Sequence, residues 1–362
     1  MRKSMRWATT FLILLFTIPN SSADSTSGDG KMTLIKTITG DISPKSVRAS
    51  GTGFVSAHNM MYRHSVTIYD ADLMALVATI PDTVNPSAFG ITGYSGNYRG
   101  APVEGAYSPD GKYLYVTNYA MYGKGLTKEG TDICKPADNY DRSFLYRIDT
   151  STWKIDSIYK VGTVPKVVAV TPDNKYVLVT NWCSYDLYVI SVSSQKVVKT
   201  LKIGAYPRGI VVSKDSQFAY VAQMGGDVVH KISLGVWSDE LLKVGHNPRA
   251  LVLSPDNSTL YATLNLSGKV IAFDLNQKKV IRSVKTGSAT RSLDISTDGT
   301  SLFVVNFNSD TISKVRTSDF KVLQTLKVCD QPIGVTYEPL HQRTWVACYL
   351  GQIKIFNDSP KL

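Results

Sequence analysis

The 362-residue sequence lacks the short motifs that mark common catalytic sites. It contains no GxSxG nucleophile elbow, no HExxH zinc motif and no glycine-rich phosphate loop. Its five histidines show no spacing typical of a metal site, so the sequence predicts neither a metal ion nor a cofactor. Glu104 is the one candidate for a general acid or base, and a lone carboxylate favours a non-enzymatic protein.

Long apolar runs are also scarce. The longest, residues 7–18, follows a basic start and is too short to span a bilayer comfortably. Ser21 and Ala23 stand at positions suited to a signal peptidase. The sequence predicts a cleaved signal peptide at 1–23, a short flexible segment at 24–31 and no membrane span. We therefore expect a periplasmic or secreted protein.

Helical periodicity is missing after the first two dozen residues, and a repeated β pattern is present instead. The clear copies are SPDGKYLYVTN at 108, TPDNKYVLVTN at 171, SKDSQFAYVAQ at 213, SPDNSTLYATL at 254 and STDGTSLFVVN at 296. From Thr171 onward the spacing is 42, 41 and 42 residues, the period of a four-stranded propeller blade. Degenerate copies at 53–58 and 343–349 bring the count to seven. The sequence predicts an all-β, seven-bladed β-propeller of four-stranded blades.

The two ends of the repeat region predict how the ring closes. The segment QIKIFND at 352–358 leaves the last blade one strand short, and TLIKTITG at 33–40 resembles an outer strand with no blade before it. We expect the N-terminal strand to complete the last blade, so that no open sheet edge remains. The propeller would then span residues 32–358, followed by a tail at 359–362.

The chain is basic, with 40 lysines and arginines against 29 acidic residues and a formal charge of +11. Only three of these bases, Arg2, Lys3 and Arg6, belong to the predicted signal peptide. A basic mature protein favours anionic partners such as nucleic acid, acidic glycans or carboxylated molecules. The alternative is a solvated surface that keeps the protein soluble.

Four cysteines in an exported chain indicate disulfides. Blade topology most easily allows Cys134 to pair with Cys183 and Cys329 to pair with Cys348. Free buried thiols are the alternative.

A second repeated pattern provides the clearest functional indication. Outer strands are followed by Gly-x-x-Pro and a basic residue, as in GTVPK, GAYPR and GHNPR, with DISPK and GSATR as variants. Because proline restricts the loop entering the innermost strand, the next side chain is expected near the channel mouth. The predicted cation ring comprises Lys45, Lys166, Arg208, Arg249 and Arg291, interrupted by Glu104 and Ile333. Such a ring predicts an anion site, and hydrogen bonding to neighbouring blades is the alternative.

Aromatic residues are predicted on the same face. Tyr119, Trp182, Tyr185 and Phe307 lie in loops between second and third strands, where exposed rings beside arginine are typical of recognition surfaces. By contrast, Asn118, Asn181 and Asn306 are expected to bond backbone groups at the ends of strands. Two insertions, 83–101 and 119–142, extend this face and are expected to form walls beside the channel.

The tetrapeptide YVTN at 115–118, preceded by SPDGK, resembles the YVTN-repeat β-propellers, including YncE-like exported bacterial proteins. The resemblance covers roughly residues 32–358 and implies the propeller fold. It also implies two functional precedents, DNA binding in YncE-like relatives and lactonase or lyase activity on related propellers. The insertion containing DICKPADNYD and the loop NWCSYD depart from the plain repeat and indicate a subgroup with its own ligand.

We therefore predict an exported, non-enzymatic, monomeric propeller whose upper face binds an anionic ligand or polymer, single-stranded DNA among the candidates. One alternative is a lactonase- or lyase-like enzyme that acts on a carboxylated small molecule. The other is a scaffold that binds a protein partner.

Overall fold

A computed structural model describes residues 30–358 and shows an all-β architecture. Seven four-stranded antiparallel sheets form the blades of a ring, which confirms the predicted seven-bladed β-propeller. The predicted signal peptide (1–23), almost all of the segment 24–31 and the tail 359–362 lie outside the described residues. Within the described part of the chain, no helix is long and apolar enough to cross a membrane.

The strands are numbered along the chain. The first half contains β1 (Thr33–Ile38), β2 (Ser46–Ala49), β3 (Phe54–Asn59), β4 (Ser65–Asp70), β5 (Ala75–Pro81), β6 (Thr83–Val84), β7 (Tyr98–Arg99), β8 (Pro102–Tyr107), β9 (Tyr113–Asn118), β10 (Phe144–Asp149), β11 (Lys154–Lys160), β12 (Pro165–Val170), β13 (Tyr176–Asn181), β14 (Asp186–Ser191) and β15 (Lys196–Lys202). The second half contains β16 (Pro207–Val212), β17 (Phe218–Gln223), β18 (Val228–Ser233), β19 (Asp239–Lys243), β20 (Pro248–Leu253), β21 (Thr259–Leu264), β22 (Lys269–Asp274), β23 (Lys279–Lys285), β24 (Thr290–Ile295), β25 (Ser301–Asn306), β26 (Thr311–Arg316), β27 (Val322–Lys327), β28 (Pro332–Glu338), β29 (Arg343–Cys348) and β30 (Gln352–Asn357). Short 3₁₀ turns occupy Pro86–Phe89, Pro136–Asp138 and Phe307–Ser309.

Each blade runs from an innermost strand at the central channel to an outermost strand at the rim. Blades 1 to 6 are β2–β5, β8–β11, β12–β15, β16–β19, β20–β23 and β24–β27, and blade 7 combines β28–β30 with β1. The strands β6 and β7 form a separate two-stranded ribbon in the first insertion.

Hydrogen bonds explain the repeated Ser-Pro-Asp turn between the first two strands of a blade. Ser108 Oγ donates to Asp110 Oδ1 at 2.6 Å and accepts from the N–H of Tyr113 at 3.0 Å. The same hydroxyl-to-carboxylate pair recurs at Thr171 and Asp173, Ser213 and Asp215, Ser254 and Asp256, and Ser296 and Asp298. Because these side chains fix the turn, the motif tolerates Lys214 or Thr297 where other copies have proline.

The core lies between blades rather than within them. In one cluster, Val66 and Ile68 of blade 1 pack with Leu114, Val116 and Ile148 of blade 2. Since a single blade buries its faces only against its neighbours, the ring stabilises each blade through the next.

The N-terminal strand closes the ring as the sequence predicts. β1 pairs antiparallel with β30, with Thr33 opposite Asn357 and Ile38 opposite Ile353. The preceding residue, Met32, is buried and donates its N–H to Oε1 of Gln324 in blade 6 at 2.8 Å. The N-terminal segment therefore joins blade 7 and contacts blade 6.

A buried ion pair secures this closure. Lys314 of blade 6 is fully buried, and its Nζ donates to the Asp358 carboxylate and to the Gly30 carbonyl, each at 2.7 Å. One ammonium group therefore holds both ends of the described chain, and polar partners of this kind are how a protein accommodates a charge in its interior.

Candidate functional site

The backbone entering the innermost strands turns sharply and places basic residues at the channel mouth. Val164, Tyr206 and Asn247 adopt left-handed φ values of 53°, 59° and 55° immediately before the prolines of β12, β16 and β20. The register with the second strand then shifts in the next few residues. The bulges lie between Pro165 and Val168, Pro207 and Ile210, Pro248 and Leu251, and Thr290 and Ser292. Such bulges redirect side chains, and each of these contains one predicted cation.

The structure brings the cation ring of Lys45, Lys166, Arg208, Arg249 and Arg291 together around two adjoining cavities. A cavity of about 190 Å³ is lined by all five, and a larger one of about 560 Å³ is lined by Lys45, Lys166 and Arg291. Lys166, Arg208 and Arg249 are only 5%, 6% and 7% exposed. The predicted ring is therefore a compact, largely buried cluster.

Two members of the ring have carboxylate partners. Lys166 Nζ lies 3.2 Å from Asp132 Oδ1, and Arg208 Nη2 lies 3.5 Å from Glu104 Oε1. Although partial burial opposes ionisation, the positive charge of Lys166 leaves the pKa of Asp132 lowered. Glu104, the candidate acid or base of the sequence, is thus a partner of Arg208.

Glu104 does not occupy the ring position in blade 2. Pro102 pairs with Asn118 as Pro165 pairs with Asn181, so the residue equivalent to Lys166 is the fully buried Val103. Glu104 lies one residue further along the innermost strand, where it lines the channel below the mouth with Arg208.

The remaining three cations have no carboxylate within ion-pair distance among residues 30–358. Lys45 Nζ lies 5.5 Å from the centre of the Tyr349 ring, and the Arg291 guanidinium lies 3.6 Å from that of Phe307. Arg249 donates to the Arg291 carbonyl, and the buried Nε of Arg291 has no hydrogen-bond partner. In the described part of the chain, none of these three cations is therefore directly paired with a carboxylate, although Glu104 and Asp132 favour the charged form of Arg249 at longer range.

Burial and mutual repulsion disfavour the charged forms of these bases. Burial, followed by the charges of Arg208 and Arg249, holds the pKa of Lys45 well below its usual value. Burial and Arg208 lower the pKa of Lys166 to about 7 and that of Arg291 to about 10. A bound anion would oppose both effects, because an opposite charge favours the ionised form.

Both predicted disulfides form. The Cα atoms of Cys134 and Cys183 lie 5.4 Å apart, and those of Cys329 and Cys348 lie 6.0 Å apart. Disulfides are typical of proteins outside the reducing cytosol.

The first disulfide attaches the second insertion to blade 3 and positions Asp132. Trp182 Nε1 donates to the Asp132 carbonyl at 3.1 Å, and Tyr185 donates its hydroxyl to the Cys134 carbonyl at 2.6 Å. The backbone that carries Asp132 is therefore held in place by a covalent bond and by two aromatic side chains.

These contacts change the interpretation of two predicted aromatics. Trp182 is only 9% exposed, because it packs against Tyr206 at a ring-centre distance of 4.5 Å and is covered by the insertion. The expectation of an exposed Trp182 is wrong, although its edge lines the smaller cavity. Tyr185 also packs against Tyr206 and bonds the insertion. Tyr119 and Phe307 do line the larger cavity.

The three asparagines at strand ends are buried and bonded. Asn118 donates to the Phe144 carbonyl at 3.1 Å, Asn181 accepts from the Gly162 N–H at 3.0 Å, and Asn306 donates to the Thr286 carbonyl at 3.4 Å and to the Thr311 hydroxyl at 3.1 Å. Each of the three therefore bonds at least one backbone group, as the structural interpretation predicts.

Sequence reasoning missed the wall formed by the loop after β3. Met60, Met61, Tyr62 and His64 line the larger cavity. His64 Nδ1 donates to the Gly100 carbonyl at 2.8 Å and lies 3.2 Å from the Asp82 carboxylate. Burial raises the pKa of Asp82 to about 8. This loop belongs to a degenerate repeat, so no recurring pattern identified it.

The cavity wall also carries acids from the second insertion. Besides Asp132, Glu129 lines the cavity and accepts a hydrogen bond from the Tyr122 hydroxyl at 2.6 Å. Among residues 30–358, no group of three or more histidine, cysteine, aspartate or glutamate side chains is arranged to hold a metal ion.

Comparison with known proteins gives a limited result. No protein-family model matches the chain. A segment of 86 residues is 31% identical to Antigen Lp49 of Leptospira interrogans, which amounts to 23% of this chain and 16% of that protein. The chain is thus similar to part of this antigen, and the fold rests on the seven blades themselves.

Proposed function

We propose that the chain is an exported, monomeric binding protein of the YVTN-repeat type, whose channel mouth binds an anionic ligand. The repeated YVTN-like motifs and the seven blades support this relationship, and the basic apolar N-terminus with two disulfides supports export. A propeller fold by itself is compatible with many functions, so the function has to be inferred from the residues at the channel mouth.

The proposal rests on the cations at the mouth that have no carboxylate partner. Lys45, Arg249 and Arg291 border the two cavities without a carboxylate partner in the described part of the chain. Retaining buried, unpaired cations destabilises a fold. An anion placed among them relieves that repulsion, which gives a free-energy gain specific to anionic ligands.

The test is binding across a salt series. The mature protein is titrated with acetate, inorganic phosphate, heparin and a single-stranded oligodeoxynucleotide, and binding is measured by calorimetry and by the rise in Tm that a ligand of the native state produces. We expect at least one anion to bind, with an affinity that falls as salt rises.

Two variants distinguish binding at the mouth from binding to positive charge elsewhere on the surface. Replacing Lys45, Arg249 and Arg291 by methionine is expected to abolish binding. The control replaces three exposed lysines, Lys112, Lys175 and Lys278, by methionine, which removes the same charge elsewhere. Loss of binding in both variants, or in neither, would refute a specific site at the mouth.

A further inference from the structure

The larger cavity has a distribution of charge and apolar surface that restricts the class of ligand. Resting on the proposed anion binding, we propose that the ligand is a small amphipathic carboxylate. Its carboxylate lies between Lys45 and Arg291, and its apolar part packs against the aromatic and methionine side chains of the same cavity.

The size of the cavity fits a small molecule. Its volume of about 560 Å³ falls within the range of roughly 300–1,000 Å³ that is usual for small-molecule sites. By contrast, the deeper cations Lys166, Arg208 and Arg249 are more than nine-tenths buried. The backbone of a polymer, which follows open grooves, cannot contact them all.

One end of the cavity is suited to a single carboxylate. Lys45 and Arg291 both line it, and each cation rests against an aromatic ring, Tyr349 for Lys45 and Phe307 for Arg291. These two rings meet edge to face at 6.3 Å. The planar guanidinium presents paired donors that match a carboxylate.

Part of the wall is apolar. Met60 and Met61 are partly exposed on the loop after β3, and Ala101 and Tyr119 line the same cavity. Methionine adapts its shape to varied ligands, and Tyr and Phe rings stack on apolar or aromatic groups. A ligand with an apolar body therefore gains contacts that a bare inorganic anion lacks.

Two acids in the cavity wall disfavour a second negative charge. Asp132 and Glu129 line the cavity together with the cations, and the lowered pKa of Asp132, which its cationic neighbours produce against the effect of burial, keeps its carboxylate ionised. A polyanion that filled the cavity would place charge next to these acids, and like charges repel. The site thus favours a ligand with a single negative charge.

The experiment uses matched probes on the mature protein. The probes are 2-naphthylacetate, acetate, 2-naphthaleneethanol, inorganic phosphate and heparin, measured by calorimetry at one salt concentration. We expect 2-naphthylacetate to bind at least tenfold more tightly than acetate, which lacks the naphthyl group. It should exceed the alcohol, which lacks the negative charge, by at least the same factor.

Two variants test the two halves of the proposed site. Lys45→Met is expected to weaken 2-naphthylacetate at least tenfold, whereas Lys112→Met, an exposed control, leaves it unchanged. The double replacement Met60→Ser with Met61→Ser should weaken 2-naphthylacetate and leave acetate unchanged. Because these methionines lie in a surface loop, this variant tests the apolar wall even if Lys45→Met fails to fold.

Tighter binding of phosphate or heparin than of 2-naphthylacetate would overturn this inference and leave the proposed anion binding intact. Binding of the alcohol as tightly as 2-naphthylacetate would also overturn it. Failure of every anion to bind would refute both proposals.

Discussion

Two lysines of this propeller, Lys314 at the ring closure and Lys45 at the channel mouth, differ in their polar partners. At the closure between blades 6 and 7, Lys314 is fully buried and bonded to Asp358 and to the Gly30 carbonyl. At the mouth, Lys45 has an aromatic ring as its neighbour and four other cations around it. The carboxylate partner of Lys314 belongs to the protein, whereas Lys45 has no carboxylate within ion-pair distance in the described part of the chain. We propose that an external anion takes the place of that missing partner.

The largest expected effect comes from breaking the compensated site. Lys314→Met should lower the free energy of unfolding by about 3–5 kcal/mol, because it leaves the Asp358 carboxylate buried without its cation and releases Gly30. Denaturant unfolding measures the change. An unchanged midpoint would show that the pair does not hold the closure.

Releasing Asp132 tests the intermediate case, a mouth cation that does have a partner. Cys134→Ser with Cys183→Ser removes a crosslink between residues 49 positions apart, which should cost about 2–4 kcal/mol of stability. Because Asp132 would no longer be held beside Lys166, we expect anion affinity to rise as stability falls. Thermal unfolding and calorimetry on the same samples report both quantities. A parallel loss of stability and affinity would show that the insertion builds the site instead of partly blocking it.

Removing a cation that has no carboxylate partner should change the folding stability in the opposite direction from removing Lys314. Lys45→Met relieves repulsion among the mouth cations, so the ligand-free protein should gain up to about 0.5–2 kcal/mol, as stabilising changes at functional sites commonly do. Unfolding in low salt measures this gain. A destabilisation as large as that of Lys314→Met would contradict the distinction between the two sites.

The smallest effect concerns pH. Since burial and Arg208 lower the pKa of Lys166 to about 7, Lys166 gains its positive charge as pH falls through 7. A bound anion favours the charged amine, so affinity should be higher at pH 6 than at pH 8, by no more than about tenfold for one proton. Calorimetry at both pH values tests this. Lys166→Met should bind with nearly equal affinity at the two values, and a persistent pH dependence would assign the proton to another group.

The fold could be predicted almost completely from the sequence because its signals repeat. The Ser-Pro-Asp turns, the YVTN-like strands and the proline before each basic residue recur at blade spacing. Each copy of a motif therefore supports the structural assignment of the other copies. The unpaired segments at the two ends were sufficient to predict the pairing of β1 with β30.

The site could be predicted only where it repeats. The ring position is the residue after the proline in the Pro-Lys and Pro-Arg pairs. In blade 2 that residue is Val103, so Glu104 lies one residue beyond the ring position. The burial of Trp182 could not be predicted, because it depends on an insertion that occurs only once in the repeat pattern. Asp132 and Met61 likewise lie in non-repeating loops, whose path depends on tertiary contacts that no local pattern encodes.

The pairing of the first strand with the last has a consequence for biosynthesis. A ribosome releases β1 long before β30 exists, and the contact between Gly30 and Lys314 spans 284 positions. Closing so large a loop is slow, and until then both edges can pair with other chains. The nascent protein therefore stays open between β1 and its partner until β30 has been synthesised. A chain truncated before β30 would be an unclosed ring prone to aggregation.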